Sequence, residues 1–318
     1  MKVLVTGGAG FIGANLVRRL ETLSHITEVV VVDDLTLGFR KNLTGTDATL
    51  IEGSILDEGI LTEAIAGAST VVHLAARSSV PRSIDEPMAA HDNNATGTAL
   101  VLNAARQTDD TQVIVASSSS VYGSSEVLPK HEGLATRPIS PYAASKLAAE
   151  AYALAWGHCY DIPVLALRFF NVFGPLQSST HSYAAVIPAF LAAACQYQPL
   201  PIHGDGNQAR DFTYVDSVID VLCEAITERK SHTEPVNLAF GSQVTLLDLV
   251  TELETIFDRE LPVDHKPARA GDIYRSQADS SLLMELFPRL TPTDLAAGLR
   301  ATAEWFESTR PWEDQIKG

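Results

Sequence analysis

The chain has 318 residues, 46% hydrophobic and 19% charged, the balance of a globular protein able to bury one large core or two modest ones. Its formal net charge of −16 argues against nucleic acid and against an anionic membrane surface as partners, since both would repel it and no basic patch offsets the repulsion. No apolar run is long enough to span a bilayer, and a cytoplasmic location is expected. Cys159, Cys195 and Cys223 are few, odd in number and widely spaced, which fits neither a disulfide framework nor a zinc site, so inert thiols and no metal are expected.

Lys2 to Thr6 reads as a short buried strand. Gly7-Gly-Ala-Gly10-Phe-Ile-Gly13 follows it and opens a helix through Leu20. Glycines at this spacing serve a tight turn, a close approach of backbone to pyrophosphate, and packing of helix on strand, so Gly7, Gly10, Phe11, Ile12 and Gly13 are candidate dinucleotide contacts. A second strand, Glu28 to Val32, ends in Asp33-Asp34 about twenty residues after the loop, which is the context the motif demands. A carboxylate there accepts hydrogen bonds from ribose hydroxyls and repels a 2′-phosphate, favouring NAD over NADP; one of the two aspartates could equally be a solvated turn residue. Ala14 follows Gly13, so a kinase-type phosphate loop is excluded.

Strands recur at Thr49 to Glu52, Thr70 to Leu74, Gln112 to Ser117 and Val164 to Phe169, with helical segments between them. That alternation predicts an α/β fold, a doubly wound parallel sheet of Rossmann type. Ser54 and Ile55, and Leu74, Ala75 and Ala76, fall just past strand ends, where such sheets bind ligands. His73 reads as a core histidine with a satisfied ring. Beyond Phe170 the pattern loosens: a helix from Ala184 to Tyr197, a glycine-rich turn at Gly204 to Gly206, a strand from Val236 to Phe240, and helices Leu246 to Ile256 and Leu295 to Glu307. A smaller, mixed C-terminal substrate domain is expected over 171–210 and 242–318, with residues 1–170 forming the NAD-binding domain and the chain returning to it around 211–241.

Ser140-Pro-Tyr-Ala-Ala-Ser-Lys146 opens a further helix, with Ser140 suited to the N-cap and Pro141 to the first helical position. Tyr142 and Lys146, four apart, share a face, so the lysine's charge favours ionisation of the phenol. Bringing a tyrosine from about 10 to neutrality takes roughly 4 kcal/mol of preferential stabilisation, so a second positive group is required.

With the glycine loop, Tyr142 and Lys146 in place, the chain resembles the extended short-chain dehydrogenase/reductase family, in particular its NAD-dependent nucleotide-sugar 4-epimerases, nearly end to end. The resemblance implies that NAD's nicotinamide provides the second charge. Ser117-Ser-Ser-Ser-Val-Tyr-Gly123 looks like the family's serine loop, which maps the catalytic hydroxyl to Ser118 and makes the triad Ser118, Tyr142 and Lys146. It implies further that Asn94 braces the site near the nicotinamide, where the plainer reading is a helix-start cap, and that Ser54 stands where an aspartate usually contacts adenine.

For the substrate, Asn171, Arg210 and Arg269 resemble residues that contact a sugar diphosphate, with Asp272 beside Arg269, and two arginines suit its oxygens. Related dehydratases carry Asp-Glu directly after the catalytic hydroxyl. Here those positions are Ser119 and Ser120, so epimerisation is favoured over elimination. Ser276 resembles the gate beside C2 of the hexose, where a small residue admits an N-acetyl group. Ala76 to Ser83, which includes Ser78 and Ser79, and Tyr183 to Pro188, which includes Val186, resemble the subgroup handling N-acetylhexosamines. UDP-GlcNAc/UDP-GalNAc, with UDP-Glc/UDP-Gal, are therefore the expected substrates. Leu176, where that subgroup commonly has arginine, keeps a uronic-acid variant open. A dehydratase of the same fold and a non-catalytic NAD-binding regulator stay open too. A homodimer through the helices 92–107 and 141–156 is implied as well.

Overall fold

The computed structural model of the chain describes residues 1–108, 110–179, 185–267 and 274–313. Seven strands form one sheet in the spatial order Val236–Leu238, Val164–Phe169, Gln112–Ser118, Thr70–His73, Lys2–Thr6, Glu28–Asp33 and Thr49–Glu52. All neighbours are parallel. Parallel strands require crossovers, and helices Phe11–Leu20, Glu58–Ile65, Gly97–Ala105 and Pro141–Tyr160 supply them. The strands are continuous apolar runs because both sheet faces are covered: Val3, Leu4, Val5, Val31 and Val32 are all fully buried. Strand order reverses between Lys2–Thr6 and Thr70–His73, which places the ligand-binding crevice of such sheets at their carboxyl ends.

The chain separates into two compact units. One comprises Met1–Ser125, Glu132–Phe169 and Ile219–Leu238, the other Glu126–His131, Phe170–Val218 and Ala239–Gly318. The second is built on short pairings: Asn171–Phe173 with Phe212–Tyr214, Leu200–His203 with Val263–Lys266, and Ala209–Arg210 with Val244–Thr245. Helices Val186–Cys195, Leu246–Phe257 and Leu295–Thr309 accompany them. These boundaries differ from the expected ones for two reasons. The strand Phe212–Tyr214 pairs with Asn171–Phe173 within the second unit, so the return to the first begins at Ile219 rather than near 211. Glu126–His131 also belongs to the second unit, where the Lys130 N–H donates to Gln277 O and Lys130 O accepts from the Asp279 N–H. The helix Val215–Thr227 and the strand pairs of the second unit are elements that the sequence pattern did not predict.

No described helix is long and apolar enough to cross a membrane. The three cysteines are free, and burial pushes the thiols of Cys195 and Cys223 up to about 11 and about 12, which keeps them protonated at neutral pH.

The helix Pro141–Tyr160 carries the candidate chemistry. Ser140 Oγ accepts from the Ala143 N–H, Pro141 takes the first position, and the helix ends at Asp161 in a left-handed conformation. It runs past the expected end because Tyr152, Trp156 and Tyr160 pack edge to face along one side, with centroids 5.6 and 5.7 Å apart. A buried charge pair ties the helix to the sheet. Glu150 takes 2.7 and 2.9 Å hydrogen bonds from Arg168 Nη2 and Nε and a 2.6 Å bond from Ser117 Oγ, and both charged side chains are 4% exposed. The Arg168 guanidinium lies 4.8 Å from the Tyr122 ring centre, and the Tyr122 hydroxyl donates to Asn237 Oδ1. Arg168→Met strands Glu150 without its counter-charge and is expected to cost about 3–5 kcal/mol in urea denaturation, whereas Arg168→Met with Glu150→Leu recovers most of it.

Candidate active site

The glycine loop approaches its neighbours backbone to backbone. Gly7 sits at φ +72°, and a Cβ there would stand 2.7 Å from the Ala75 N. A Cβ on Gly13 would stand 2.3 Å from Gly7 O. Leu74, Ala75 and Ala76 thus lie where the sequence placed them, directly after the strand end and against the loop, with the Leu74 N–H donating to Thr6 O. Helix Phe11–Leu20 begins at Gly10, which offers no side-chain cap, so the first-turn N–H groups of Phe11 and Ile12 are available to an anion.

The two aspartates after the second strand are resolved by their surroundings. Asp33 is buried, and its carboxylate accepts from the N–H groups of Ala9 and Leu35, both at 2.9 Å. Burial raises its pKa above the ordinary carboxylate value, with those hydrogen bonds opposing. Asp34 is exposed and accepts from the Thr36 N–H, so it is the turn residue of the pair. Ser54 Oγ accepts from the Leu56 N–H, and Ile55 is buried with its Cδ1 against Gly97.

Asn94 is not a helix-start cap. It lies in a π-type turn, Asp92–Thr96, inside a continuous helical run from Pro87 to Ala105, and is 1% exposed. Its Oδ1 accepts from the Arg77 N–H at 2.7 Å, while Nδ2 donates to Arg77 O and to Ser145 Oγ. The widened turn turns the amide inward, so one side chain ties the 76–83 loop to the residue preceding Lys146. A hydroxyl and imidazole chain continues from it: Thr98 Oγ1 donates to Asn94 O and pairs with His73 Nε2, whose Nδ1 pairs with Thr6 Oγ1. His73 is therefore a satisfied core histidine, and burial drives its pKa down to about 3. Thr6, Thr98 and Ser145 escaped the sequence reading because single hydroxyls at strand ends and on helices form no pattern.

Ser118 is the last residue of its strand, its hydroxyl close enough to Tyr142 to act on the phenol's ionisation, and Lys146 is buried one turn further along the helix. Ser118 Oγ also accepts from the Ser120 N–H at 3.2 Å. The Tyr142 N–H donates to Ser83 Oγ, which fixes the start of the helix against the 76–83 loop. In that loop Ser78 is exposed, and Ser79 is held at φ +96° while its Oγ caps helix Val80–Asp85, a conformation costing about 1–3 kcal/mol for a side-chain-bearing residue. Burial raises the Tyr142 pKa and the Ser118 hydroxyl opposes this, while burial lowers Lys146 to about 8, with Glu150 opposing. The protein's own groups therefore leave Tyr142 a phenol at neutral pH.

The other candidates lie in the second unit. Asn171 is half-buried, and its N–H and Nδ2 both donate to Asp211 O. Arg210 Nη1 donates to Ala209 O and to Tyr274 O. Ser276 is 9% exposed, and its N–H donates to Ala209 O. Val186 begins the helix Val186–Cys195, and Leu176 adopts φ +69°. Arg269 and Asp272, like Tyr183, lie outside the described residues.

The tight glycine contacts, the uncapped helix start and the buried Asp33 fit a dinucleotide. Gly13→Ala is expected to yield folded protein that has lost its bound NAD, read as the absorbance of cofactor released on denaturation, because the added methyl meets backbone that cannot yield.

The profile of the NAD dependent epimerase/dehydratase family matches residues 3–239. The UDP-glucose 4-epimerase of Mycolicibacterium smegmatis is 33% identical over 316 residues, covering 97% of this chain and 99% of its own. A dTDP-glucose 4,6-dehydratase of Streptomyces niveus is 31% identical over 330 residues, covering 100% and 96%. Among solved structures, the UDP-N-acetylglucosamine 4-epimerase of Methanobrevibacter ruminantium in complex with UDP-N-acetylmuramic acid superimposes with a TM-score of 0.90 at 34% identity, covering 96% of this chain and 98% of that one. The chain belongs to the NAD dependent epimerase/dehydratase family, and its cofactor is NAD.

Proposed function

We propose that the protein interconverts the C4 epimers of a UDP-sugar through a transient 4-keto sugar, with UDP-GlcNAc/UDP-GalNAc as substrates and UDP-Glc/UDP-Gal accepted as well. The observation that carries the reading is the placement of Ser118 near Tyr142, with Lys146 buried one turn along the same helix and serines rather than carboxylates at 119 and 120. Tyr142 takes the proton of the sugar 4-hydroxyl while Ser118 holds the same oxygen, and Lys146 orients the nicotinamide ribose. When bound, oxidised NAD accepts the C4 hydride and returns it, and its ring supplies the positive charge that Lys146 alone does not. Rotation of the 4-keto sugar exposes its opposite face, so return of the hydride inverts the centre without an external redox partner. Ser119 and Ser120 cannot protonate a leaving group, so the keto sugar does not lose water. In this reading NAD is held through Gly7 to Gly13, Asp33, Ser54, Ile55 and Asn94, and the diphosphate through Asn171, Arg210 and Arg269.

Ser276 supports the choice of sugar, because a small, buried side chain leaves volume for an N-acetyl group. The reaction is tested with a panel of UDP-hexoses, UDP-N-acetylhexosamines and UDP-uronic acids and no added cofactor. Tyr142→Phe is expected to lower kcat by about 10²–10⁴-fold on every substrate with NAD still bound. Ser276→Tyr is expected to lower the ratio of kcat/KM for UDP-GlcNAc over UDP-Glc by about tenfold or more, through overlap with the acetyl group. A 4-keto-6-deoxy product would overturn the reading of Ser119 and Ser120.

The protein is proposed to act as a homodimer. Ala144, Ala148, Ala151 and Ala155 follow one another at helical spacing on Pro141–Tyr160, three of them exposed, beside exposed Tyr152; such a face suits close approach of a second helix. Sedimentation at micromolar concentration is expected to show a dimer, and Ala151→Arg a monomer.

A further inference from the structure

Three residues assigned above to substrate, Asn171, Arg210 and Ser276, lie around one that carries no assigned role. Asp211 is fully buried, and it is held by neutral donors from two other segments. Its Oδ2 accepts from the N–H groups of Gly241 and Ala278, each at 3.0 Å, and its Oδ1 accepts from Ser242 Oγ at 3.0 Å. Its backbone oxygen accepts from both the N–H and the Nδ2 of Asn171, at 3.2 Å each. Arg210 precedes it in the chain. Ala209, one residue earlier, accepts the Ser276 N–H at 3.1 Å and donates to Tyr274 O at 3.0 Å, and Gln277 Nε2 donates to Gly241 O.

Burying a carboxylate is costly unless donors converge on it, and the donors here come from two segments distant in sequence, Gly241–Ser242 and Ala278. Ala278 lies two residues from Ser276, Gly241 and Ser242 form the neighbouring loop, and Asn171 begins the strand paired with Phe212–Tyr214. The carboxylate therefore sets the spacing among Asn171, Arg210 and Ser276 without being one of them. An amide is a poorer replacement: its oxygen could still accept from both backbone N–H groups, but the charge that strengthens those bonds is lost, and its N–H₂ would face the Ser242 hydroxyl, which would have to accept rather than donate.

We infer that Asp211 is a positioning residue that locks Asn171, Arg210 and Ser276 into one surface for the nucleoside diphosphate sugar. The inference rests on the substrate reading above. Asp211 acts through its neighbours and touches neither NAD nor the reacting carbon.

The full-length, NAD-containing protein is compared with Asp211→Asn and Ser242→Ala. The dissociation constant for UDP is measured by calorimetry, alongside KM, kcat and NAD content. Loss of the charge in Asp211→Asn, and of one hydrogen bond to the buried carboxylate in Ser242→Ala, is expected to raise the UDP dissociation constant and KM severalfold or more in each. NAD content is expected to stay at the wild-type level and kcat within about threefold, since Ser118, Tyr142, Lys146 and the glycine loop belong to the other unit. General loss of structure would instead lower kcat and NAD content together with affinity, and that result overturns a positioning role. Unchanged UDP affinity in Ser242→Ala overturns it too, which decides the matter should Asp211→Asn fail to fold. A wild type that binds UDP but turns over no UDP-sugar would sink the proposed reaction alone, leaving Asp211 to be judged on UDP affinity.

Discussion

The placement of the candidate chemistry depends on one buried carboxylate, Glu150, whose charge is taken up by Arg168. The pair joins the middle of helix Pro141–Tyr160 to two adjacent strands, through Ser117 on one and Arg168 on the other. Ser117 precedes Ser118, and Glu150 lies one turn beyond Lys146. The same contact thus fixes the serine at the strand end and the helix bearing Tyr142 and Lys146. A hydrophobic contact would bury the helix as well, but it would leave the helix free to slide along its axis; paired hydrogen bonds in a dry environment set both axial and rotational position.

Buried carboxylates recur in the molecule, each stabilised differently. Glu150 faces a guanidinium, Asp33 faces two backbone N–H groups, and Asp211 faces two backbone N–H groups and a hydroxyl. Only the first has a full counter-charge, and burial raises the pKa of the other two. Each sits where segments distant in sequence must keep a fixed separation: glycine loop against second strand for Asp33, and the strand and loops of the second unit for Asp211. Such groups favour one arrangement over its near neighbours, because a small displacement strands a charge.

How much of this was legible in the sequence follows from the length scale of each signal. The strand, glycine loop and helix of residues 2–20 and the Tyr142 helix are long periodic segments bounded by glycine, serine and proline, and their chemistry is local to them. The second unit was not legible in the same way. Its paired strands are two to four residues long, too short for alternation to show, and their partners lie 34 to 63 residues away. Asn94 could be mistaken for a cap because a π-type turn leaves no mark in composition. Asp211 went unnoticed beside Arg210, because a carboxylate's burial is a property of the segments around it.

The electrostatics of the triad indicate why so much fold is devoted to three side chains. Burial raises Tyr142 and holds His73 neutral, and Lys146, lowered to about 8 yet still mostly charged at neutral pH, does not offset that burial. On the proposed reading, Tyr142 becomes a base when the oxidised nicotinamide lies beside it and is a phenol otherwise. That dependence ties the proton to the hydride: Tyr142 accepts a proton when the site can also accept a hydride, and it holds that proton for return once the positive charge has gone. A more cationic site would ionise the tyrosine regardless of the cofactor's state, and the proton and hydride would no longer move together. Desolvation, which opposes the phenolate in isolation, is what makes the two transfers a coupled pair.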